Sequence, residues 1–195
     1  MASTASGPAI PPRSPSSWSK IARRIRVPLG FAFAVLYLWL ARPSWKSIIL
    51  GALIAVPGLL IRILASGHVQ KNEQLTTTGP YAYTRNPLYL GSLILTLGFS
   101  VAARSWWIVA GALFLFAAIY LPVIRSEEAF LRETFPEFES YASHVPRLVP
   151  RLTAFGNAPG TFSWDLYLKH REYNAILGAA AMMAALAAKL LWMAK

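Results

Sequence analysis

Residues 87–124 read PLYLGSLILTLGFSVAARSWWIVAGALFLFAAIYLPVI, and this stretch decides the fold. Two apolar runs, 88–103 and 106–124, are separated by little more than Arg104 and Ser105. A helix that crosses a bilayer needs about 20 apolar residues, within a range of ~17–25. The stretch therefore predicts two membrane spans joined by a tight turn, and their other ends, near Pro87 and Ile124, must lie close together.

Three further apolar runs are found at 27–41, 47–65 and 174–193. The runs 27–41 and 88–103 are short, but each can gain a turn from its neighbours while Arg26, Arg42 and Arg104 extend to the interface. Of the 195 residues, 55% are hydrophobic and only 14% are charged, which is typical of an integral membrane protein. We predict an all-α, integral membrane helical bundle of about five transmembrane helices.

Basic residues are divided unevenly between the two ends of these spans. Of the 19 lysines and arginines, only Arg42, Lys46, Arg104, Lys189 and Lys195 fall on the side away from the N-terminus. Cytoplasmic segments of membrane proteins carry the excess of basic residues. We therefore predict a multi-pass protein with a cytoplasmic N-terminus and an external C-terminus. The net charge of +11 is then explained by topology and anionic lipid, and no nucleic-acid partner is expected.

Polar chemistry is expected on the cytoplasmic side, because all eight acidic residues and all three histidines fall there. The histidines share no metal-ligand spacing and the chain has no cysteine, so no metal site is expected. Residues 1–19 are rich in Ser, Pro, Ala and Gly, which predicts a disordered tail. Residues 20–195 are predicted to form a single membrane domain.

Two cytoplasmic segments are brought together by the predicted turn. The first, residues 79–91, reads GPYAYTRNPLYLG and combines rigid turns with three tyrosines and an arginine. The second follows the fourth span, where Ser126 is expected to cap a new helix that carries Glu127 and Glu128 in its first turn and ends at Pro146. Adjacent helical residues lie about 100° apart, so only one of the two glutamates is expected to point inward.

The residue types of these segments suit a ligand with a carboxylate, a hydroxylated sugar and an aromatic base. Arginine can bind the carboxylate, acidic side chains can accept from ribose hydroxyls, and tyrosines can cover a ring face, with His144 and Arg147 close by. Taken singly, Arg85 could be a positively charged anchor, and the tyrosines could be an interfacial aromatic belt. By the same reasoning Arg62 is expected to extend to the interface rather than to serve the site.

The two segments together resemble a known family. NEQLTTTGPYAYTRNPLYLGS, followed by EEAFLRETFPEFESYASHVPRLVPR, is similar to the isoprenylcysteine carboxyl methyltransferases and their phospholipid-methylating relatives over residues 67–151. The resemblance implies an all-helical membrane enzyme with S-adenosyl-L-methionine in a cytoplasmic pocket. It implies Arg85 and Glu128 as catalytic residues. The cofactor-binding residues that it implies are Gly79, Tyr81, Arg85, Asn86, Pro87, Tyr89, Gly91, Glu127 and Glu128.

One position departs from the family pattern, because Asn86 stands where the family commonly has histidine. Asparagine can donate and accept hydrogen bonds but cannot titrate, so a proton transfer at this point would fall to another group, such as His68 or His144. The role of Asn86 that the resemblance implies is to orient the cofactor.

The implied reaction is methyl transfer to a membrane-embedded or lipophilic acceptor. A prenylated protein, a phospholipid amine, a small lipophilic acid and a thiol all fit, and the sequence leaves the oligomeric state open. The alternatives are an NADPH-dependent membrane reductase of the sterol-reductase type and a non-enzymatic small transporter or scaffold. The glutamate pair and the sequence VPRLVPR favour the methyltransferase.

Overall fold

The structure is a computed structural model that describes residues 30–70, 74–156 and 160–194. The predicted tail at 1–19 and the basic residues at 20–26 lie outside these ranges. Regular structure within them is helical throughout, which confirms the all-α prediction. The helices are α1 (Gly30–Leu40), α2 (Trp45–Ser66), α3 (Pro87–Ala103), α4 (Trp106–Leu115), α5 (Leu121–Thr134), α6 (Phe138–His144), α7 (Trp164–Lys169) and α8 (Tyr173–Met193).

Two short segments with 3₁₀ and π-helical geometry complete this pattern. A 3₁₀ turn at Gly79–Ala82 precedes α3. A π-helical segment at Phe116–Tyr120 joins α4 to α5 without a break, so that Trp106–Thr134 is one continuous helix, called here the α4–α5 rod.

Three helices in the described ranges are long and apolar enough to cross a membrane. They are α2, the α4–α5 rod and α8, with 22, 29 and 21 residues. The helices α1 and α3 are apolar but shorter, as the sequence predicts for these two runs. The chain is thus a multi-pass membrane protein, while its orientation stays a prediction.

The turn between α3 and α4 is as short as predicted. Arg104 adopts the left-handed conformation, with φ of 53°, and its amide donates to the carbonyl of Ser100. Ser105 is extended and α4 begins at Trp106. Trp106 and Trp107 are 85% and 77% exposed at this end, as expected of an aromatic belt.

The prediction of a new helix at Ser126 is wrong. Ser126 lies inside α5, which continues the α4–α5 rod. A π-helical register accommodates Pro122, whose missing amide hydrogen would interrupt the ordinary pattern. Glu127 and Glu128 therefore lie in the last part of a long helix and not at a helix N-terminus.

The predicted helix after the fourth span is also divided in two. Pro136 disfavours helical geometry in the residue before it, and Phe135 is extended with φ of −119° and ψ of 111°. The rod therefore ends at Thr134. Pro146 acts in the same way on Val145, so α6 ends where the sequence predicts.

Helices α2 and α3 pack closely through two pairs of facing glycines. A Cβ added at Gly51 would lie 2.5 Å from the carbonyl oxygen of Gly98, and one added at Gly58 would lie 2.7 Å from that of Gly91. Only residues without a Cβ allow the backbones of the two helices to approach this closely. Small residues of this kind favour the association of helices in lipid. Gly91, which the resemblance implies as a cofactor residue, thus has a packing role.

Helices α1 and α8 pack on this pair near the α3–α4 turn. Leu186 of α8 is fully buried in a cluster with Tyr37 and Ile108. Lys189 donates from Nζ to the carbonyl oxygens of Leu38 and Ala41, at 2.5 and 2.6 Å. It thereby satisfies carbonyl groups that the end of α1 leaves without helical partners.

Contrary to the prediction, Arg62 does not extend to the interface. It lies at the polar end of the bundle, defined as the end where α2 stops and α3 and α8 begin. Its Nη1 donates to the Ser92 hydroxyl at 2.5 Å and to the Leu88 carbonyl at 3.3 Å, and its Nη2 pairs with Glu172 at 2.6 Å. The side chains of Arg62 and Glu172 are only 20% and 15% exposed. This pair fastens the start of α8 to α2 and α3.

A double-mutant cycle measures this link. Arg62→Met and Glu172→Gln should each lower the free energy of unfolding in detergent, and the double variant should lose less than the sum, with a coupling energy of about 0.5–3 kcal/mol. The pair Arg132 and Glu139 is a matched control, because its side chains are 52% and 66% exposed. Such surface pairs contribute about 0–1 kcal/mol. Equal coupling in the two cycles would contradict the fastening role.

Candidate functional site

The predicted site lies where the 3₁₀ turn and the start of α3 contact the chain after α6. The Arg85 amide donates to the Pro146 carbonyl at 2.9 Å, and the Arg151 amide donates to the Tyr83 carbonyl at 3.0 Å. Between them Thr84, 2% exposed, donates its hydroxyl to a carbonyl of the same segment. Main-chain pairing therefore holds the two predicted segments together.

The 3₁₀ turn is shaped by Gly79 and Tyr81. Gly79 has φ of +58°, and a Cβ there would lie 2.5 Å from the ring of His68, so glycine is required for both reasons. Tyr81 is buried, and its carbonyl accepts from the Tyr141 hydroxyl at 2.7 Å. Burial raises the pKa of the Tyr81 and Tyr141 hydroxyls above its usual range.

Glu128 is the centre of the site, with a side chain only 5% exposed. Its Oε1 accepts from Asn86 Nδ2 at 3.0 Å, and its Oε2 accepts from Nε and Nη2 of Arg147 at 3.0 and 2.8 Å. The Nε of Arg85 lies 3.5 Å from Oε1. The hydrogen bond to Glu128 raises the pKa of Arg147. Two arginines and an amide thus offset the cost of burying a carboxylate.

Glu127 points away from this network, as the angular spacing predicts. It is exposed, and its Oε1 accepts from the Tyr89 hydroxyl at 3.0 Å. The Tyr89 ring meets the edge of Tyr120, with 5.7 Å between centroids, and Tyr120 stacks on Phe116. Neither Tyr120 nor Phe116 is predicted as a site residue, although a proline two residues after Tyr120 is a signal for an irregular helix there.

Asn86 is part of the network around Glu128. It is 7% exposed, and its Nδ2 also donates to the Arg147 carbonyl at 3.1 Å. Pro87 takes the first position of α3, directly after it. The two histidines considered as substitutes contact other groups: His68 Nδ1 lies 2.7 Å from the Leu64 carbonyl, and His144 Nδ1 lies 2.8 Å from that of Ser140.

The Arg85 side chain has hydrogen-bond donors that are not used. Its side chain is 13% exposed, and its Nε is buried without a hydrogen bond. Within the described ranges its terminal nitrogens donate no hydrogen bond either. A buried arginine with unused donors is suited to binding an anion such as a carboxylate.

Two apolar grooves, of about 230 and 280 Å³, lie between helices of the bundle and are open to the outside. The first is lined by α1, α3, α4 and α8, with Phe99 and Met182 among its walls, and the second lies between α1 and α4. Neither is lined by a residue of the predicted site. The cytoplasmic cofactor pocket therefore stays a prediction.

The family described as "Phospholipid methyltransferase" matches residues 29–137. The chain belongs to the phospholipid methyltransferase family. This membership confirms the resemblance. The matched range runs from α1 through the α4–α5 rod. It includes all the cofactor-binding and catalytic residues implied by the resemblance. Arg147 and α8 lie beyond it.

Two relatives of this phospholipid methyltransferase family member carry names that refer to metals. The cobalt-zinc-cadmium resistance protein CzcN of Cupriavidus metallidurans is 36% identical over 126 residues, which cover 64% of this chain and 56% of its own. The nickel-cobalt-cadmium resistance protein NccN of Alcaligenes xylosoxydans xylosoxydans is 36% identical over 118 residues, covering 60% and 54%. The chain spans about half the length of these curated relatives. No solved structure matches it.

Proposed function

We propose that the protein transfers a methyl group from S-adenosyl-L-methionine to a lipophilic acceptor at the cytoplasmic face of the membrane. Family membership supports methyl transfer as the reaction type. The contact between Asn86 and Glu128 carries the proposal, because it joins the two motifs on which the resemblance rests. The lipid bilayer would hold the acceptor, and the water-soluble cofactor would arrive from the cytoplasm.

The residues around Glu128 suit this cofactor. S-adenosyl-L-methionine would supply a methyl group on a positively charged sulfur. We propose that Arg85 binds its carboxylate, because the guanidinium has unused donors next to the buried network. Glu128 and Asn86 hold Arg85 and Arg147 in place. Glu127 is exposed beside Tyr89 and can accept from a ribose hydroxyl or an amino group.

The remaining implied residues would act through the shape of the site. Gly79 and Tyr81 fix the 3₁₀ turn that carries Arg85, and Pro87 begins α3 directly behind Asn86. Gly91 lets α2 approach α3 at this level. Each of them therefore contributes to cofactor binding by positioning the backbone of the turn.

We propose that the acceptor group is a carboxylate, as in isoprenylcysteine carboxyl methyltransferases. A carboxylate needs no base to attack a methyl group, so alignment and exclusion of water suffice. Asn86 cannot take up a proton, and it already donates to Glu128 and to a carbonyl. An amine or a thiol would require a group that removes a proton.

Family membership favours methyl transfer over the sterol-type reductase and over the transporter or scaffold. The two relatives are named for resistance to cobalt, zinc, cadmium or nickel. If this chain has a part in such resistance, we propose that it takes that part through methylation of a lipophilic acceptor. In the described part of the chain, no three His, Asp or Glu side chains lie close enough to hold a metal ion.

Isothermal titration of the purified protein with S-adenosyl-L-methionine tests the cofactor. We expect binding to the wild type, and a Kd about 10- to 100-fold higher in Arg85→Gln, because a charged hydrogen bond contributes about 1.5–3 kcal/mol. Arg132→Gln is the matched control, because Arg132 pairs with Glu139 at the surface and should leave the Kd unchanged. Absence of heat with folded wild type, or an unaltered Kd in Arg85→Gln, would contradict the proposal.

A further inference from the structure

In the segment after α6, residues 146–152, two arginines bond to polar groups of the protein while two apolar side chains are left exposed. Arg147 binds the buried carboxylate of the site, and Arg151 donates from Nη1 to the His144 carbonyl at 3.1 Å. Val149 and Leu152 are 76% and 99% exposed. In water the reverse arrangement is favoured, because exposed apolar surface is unfavourable there. The arrangement indicates that this segment faces an apolar phase.

The segment lies at the level where the chain enters the membrane. Its backbone is bonded to Tyr83 and Arg85, and α3 begins at Pro87. On α7, which directly precedes the membrane helix α8, Trp164 and Leu168 are also exposed, by 66% and 56%, and lie one turn apart. Exposed aromatic and aliphatic side chains at the ends of spanning helices are typical of the bilayer interface.

We propose that Val149 and Leu152 insert into the bilayer interface, so that residues 146–152 form a loop seated in lipid. The loop is bonded to the turn that directly precedes the apolar helix α3, which identifies lipid as the partner. Charge agrees with this, because the Arg147 side chain is 45% exposed beside the two apolar residues and can meet anionic headgroups.

Lipid contact at this loop has a consequence for the network around Glu128. The same loop supplies Arg147 to Glu128 and a carbonyl to the Arg85 amide. Its seating in the bilayer would therefore hold both arginines of the site. The proposal does not depend on the proposed function, because insertion of the loop requires neither cofactor nor acceptor.

Fluorescent labels at single cysteines test the insertion, and the chain has no cysteine of its own that would react. Val149→Cys and Leu152→Cys would be labelled separately with an environment-sensitive dye. The full chain would be placed in vesicles of phosphatidylcholine and phosphatidylglycerol. Leu113→Cys, at an exposed position of α4, is the lipid reference, and Ser143→Cys, at an exposed position of α6, is the water reference. Circular dichroism would establish that each labelled variant is folded.

At positions 149 and 152 we expect blue-shifted emission that is quenched by lipids brominated on their acyl chains and insensitive to aqueous iodide, as at position 113. Quenching by iodide alone, as expected at Ser143, would overturn the proposal. Protection from both quenchers would also overturn it, because the two side chains would then lie against protein. Since each position is read separately, failure of one variant to fold leaves the other as a test.

Discussion

Replacing Glu128 by alanine should lower the free energy of unfolding by about 3–5 kcal/mol, because removal of one partner of a buried ion pair leaves the other charges without compensation. Arg147 would lose two hydrogen bonds, Asn86 one, and Arg85 its nearest negative charge. Denaturant titration in mixed micelles, followed by circular dichroism, measures the loss. If the proposed function is correct, the same variant also loses cofactor binding.

The neighbouring glutamate provides the control. Glu127 is exposed and bonded to Tyr89, so Glu127→Ala should cost no more than about 1 kcal/mol. A Glu128→Gln variant separates the effect of the negative charge from that of the side-chain shape. Glutamine can still accept a hydrogen bond from Asn86, but it leaves both arginines without a negative partner. Equal stability of the two alanine variants would mean that the buried network around Glu128 does not contribute to stability.

Substituting Gly98 by valine should destabilise the pair of α2 and α3 by about 3 kcal/mol or more, the upper part of the range for overpacking. A Cβ there would lie 2.6 Å from the Gly51 carbonyl oxygen and 2.8 Å from the Ala55 amide nitrogen. Both contacts are with backbone, so the strain cannot be relieved by a side-chain rotation. The helices would have to separate along the face that carries Gly91.

Gly178→Val is the matched control for this prediction. Gly178 lies in the apolar helix α8, and a Cβ there would meet nothing within 4 Å. Unfolding of the two variants in the same mixed micelles should differ by most of the cost assigned to Gly98. A Gly98 variant as stable as the Gly178 variant would mean that the backbones of α2 and α3 are not in contact.

The apolar helices and the contact between residues 79–91 and the glutamate pair were predictable because each depends on local sequence. The thickness of the hydrocarbon layer fixes the length of an apolar run, and two residues, Arg104 and Ser105, are enough to reverse the chain. That reversal brings residues 79–91 to the glutamate pair, as predicted. The same local reasoning failed at Ser126. A capping residue contributes only about 1 kcal/mol, whereas an existing helix extends without a new nucleation step.

The contacts that hold the bundle together were not predictable, because they join distant parts of the chain. Arg62 and Glu172 are 110 residues apart, and Lys189 lies 151 residues from Leu38. The sequence does not show which group an arginine or a lysine will contact, because that depends on which helices are neighbours in the fold. The glycines left a usable signal, since Gly51 and Gly58 repeat the spacing of Gly91 and Gly98, but only adjacency of the two helices explains it.

The length of the α4–α5 rod relates the site to the thickness of the membrane. At 1.5 Å per residue, Glu128 lies about 33 Å along the axis from Trp106, slightly more than the ~30 Å of hydrocarbon in a typical bilayer. With the exposed indole of Trp106 held at one surface, the carboxylate emerges just past the opposite one. Glu128 thus lies at a set height along the rod, and a thinner bilayer would tilt the rod and shift that height relative to the lipid headgroups.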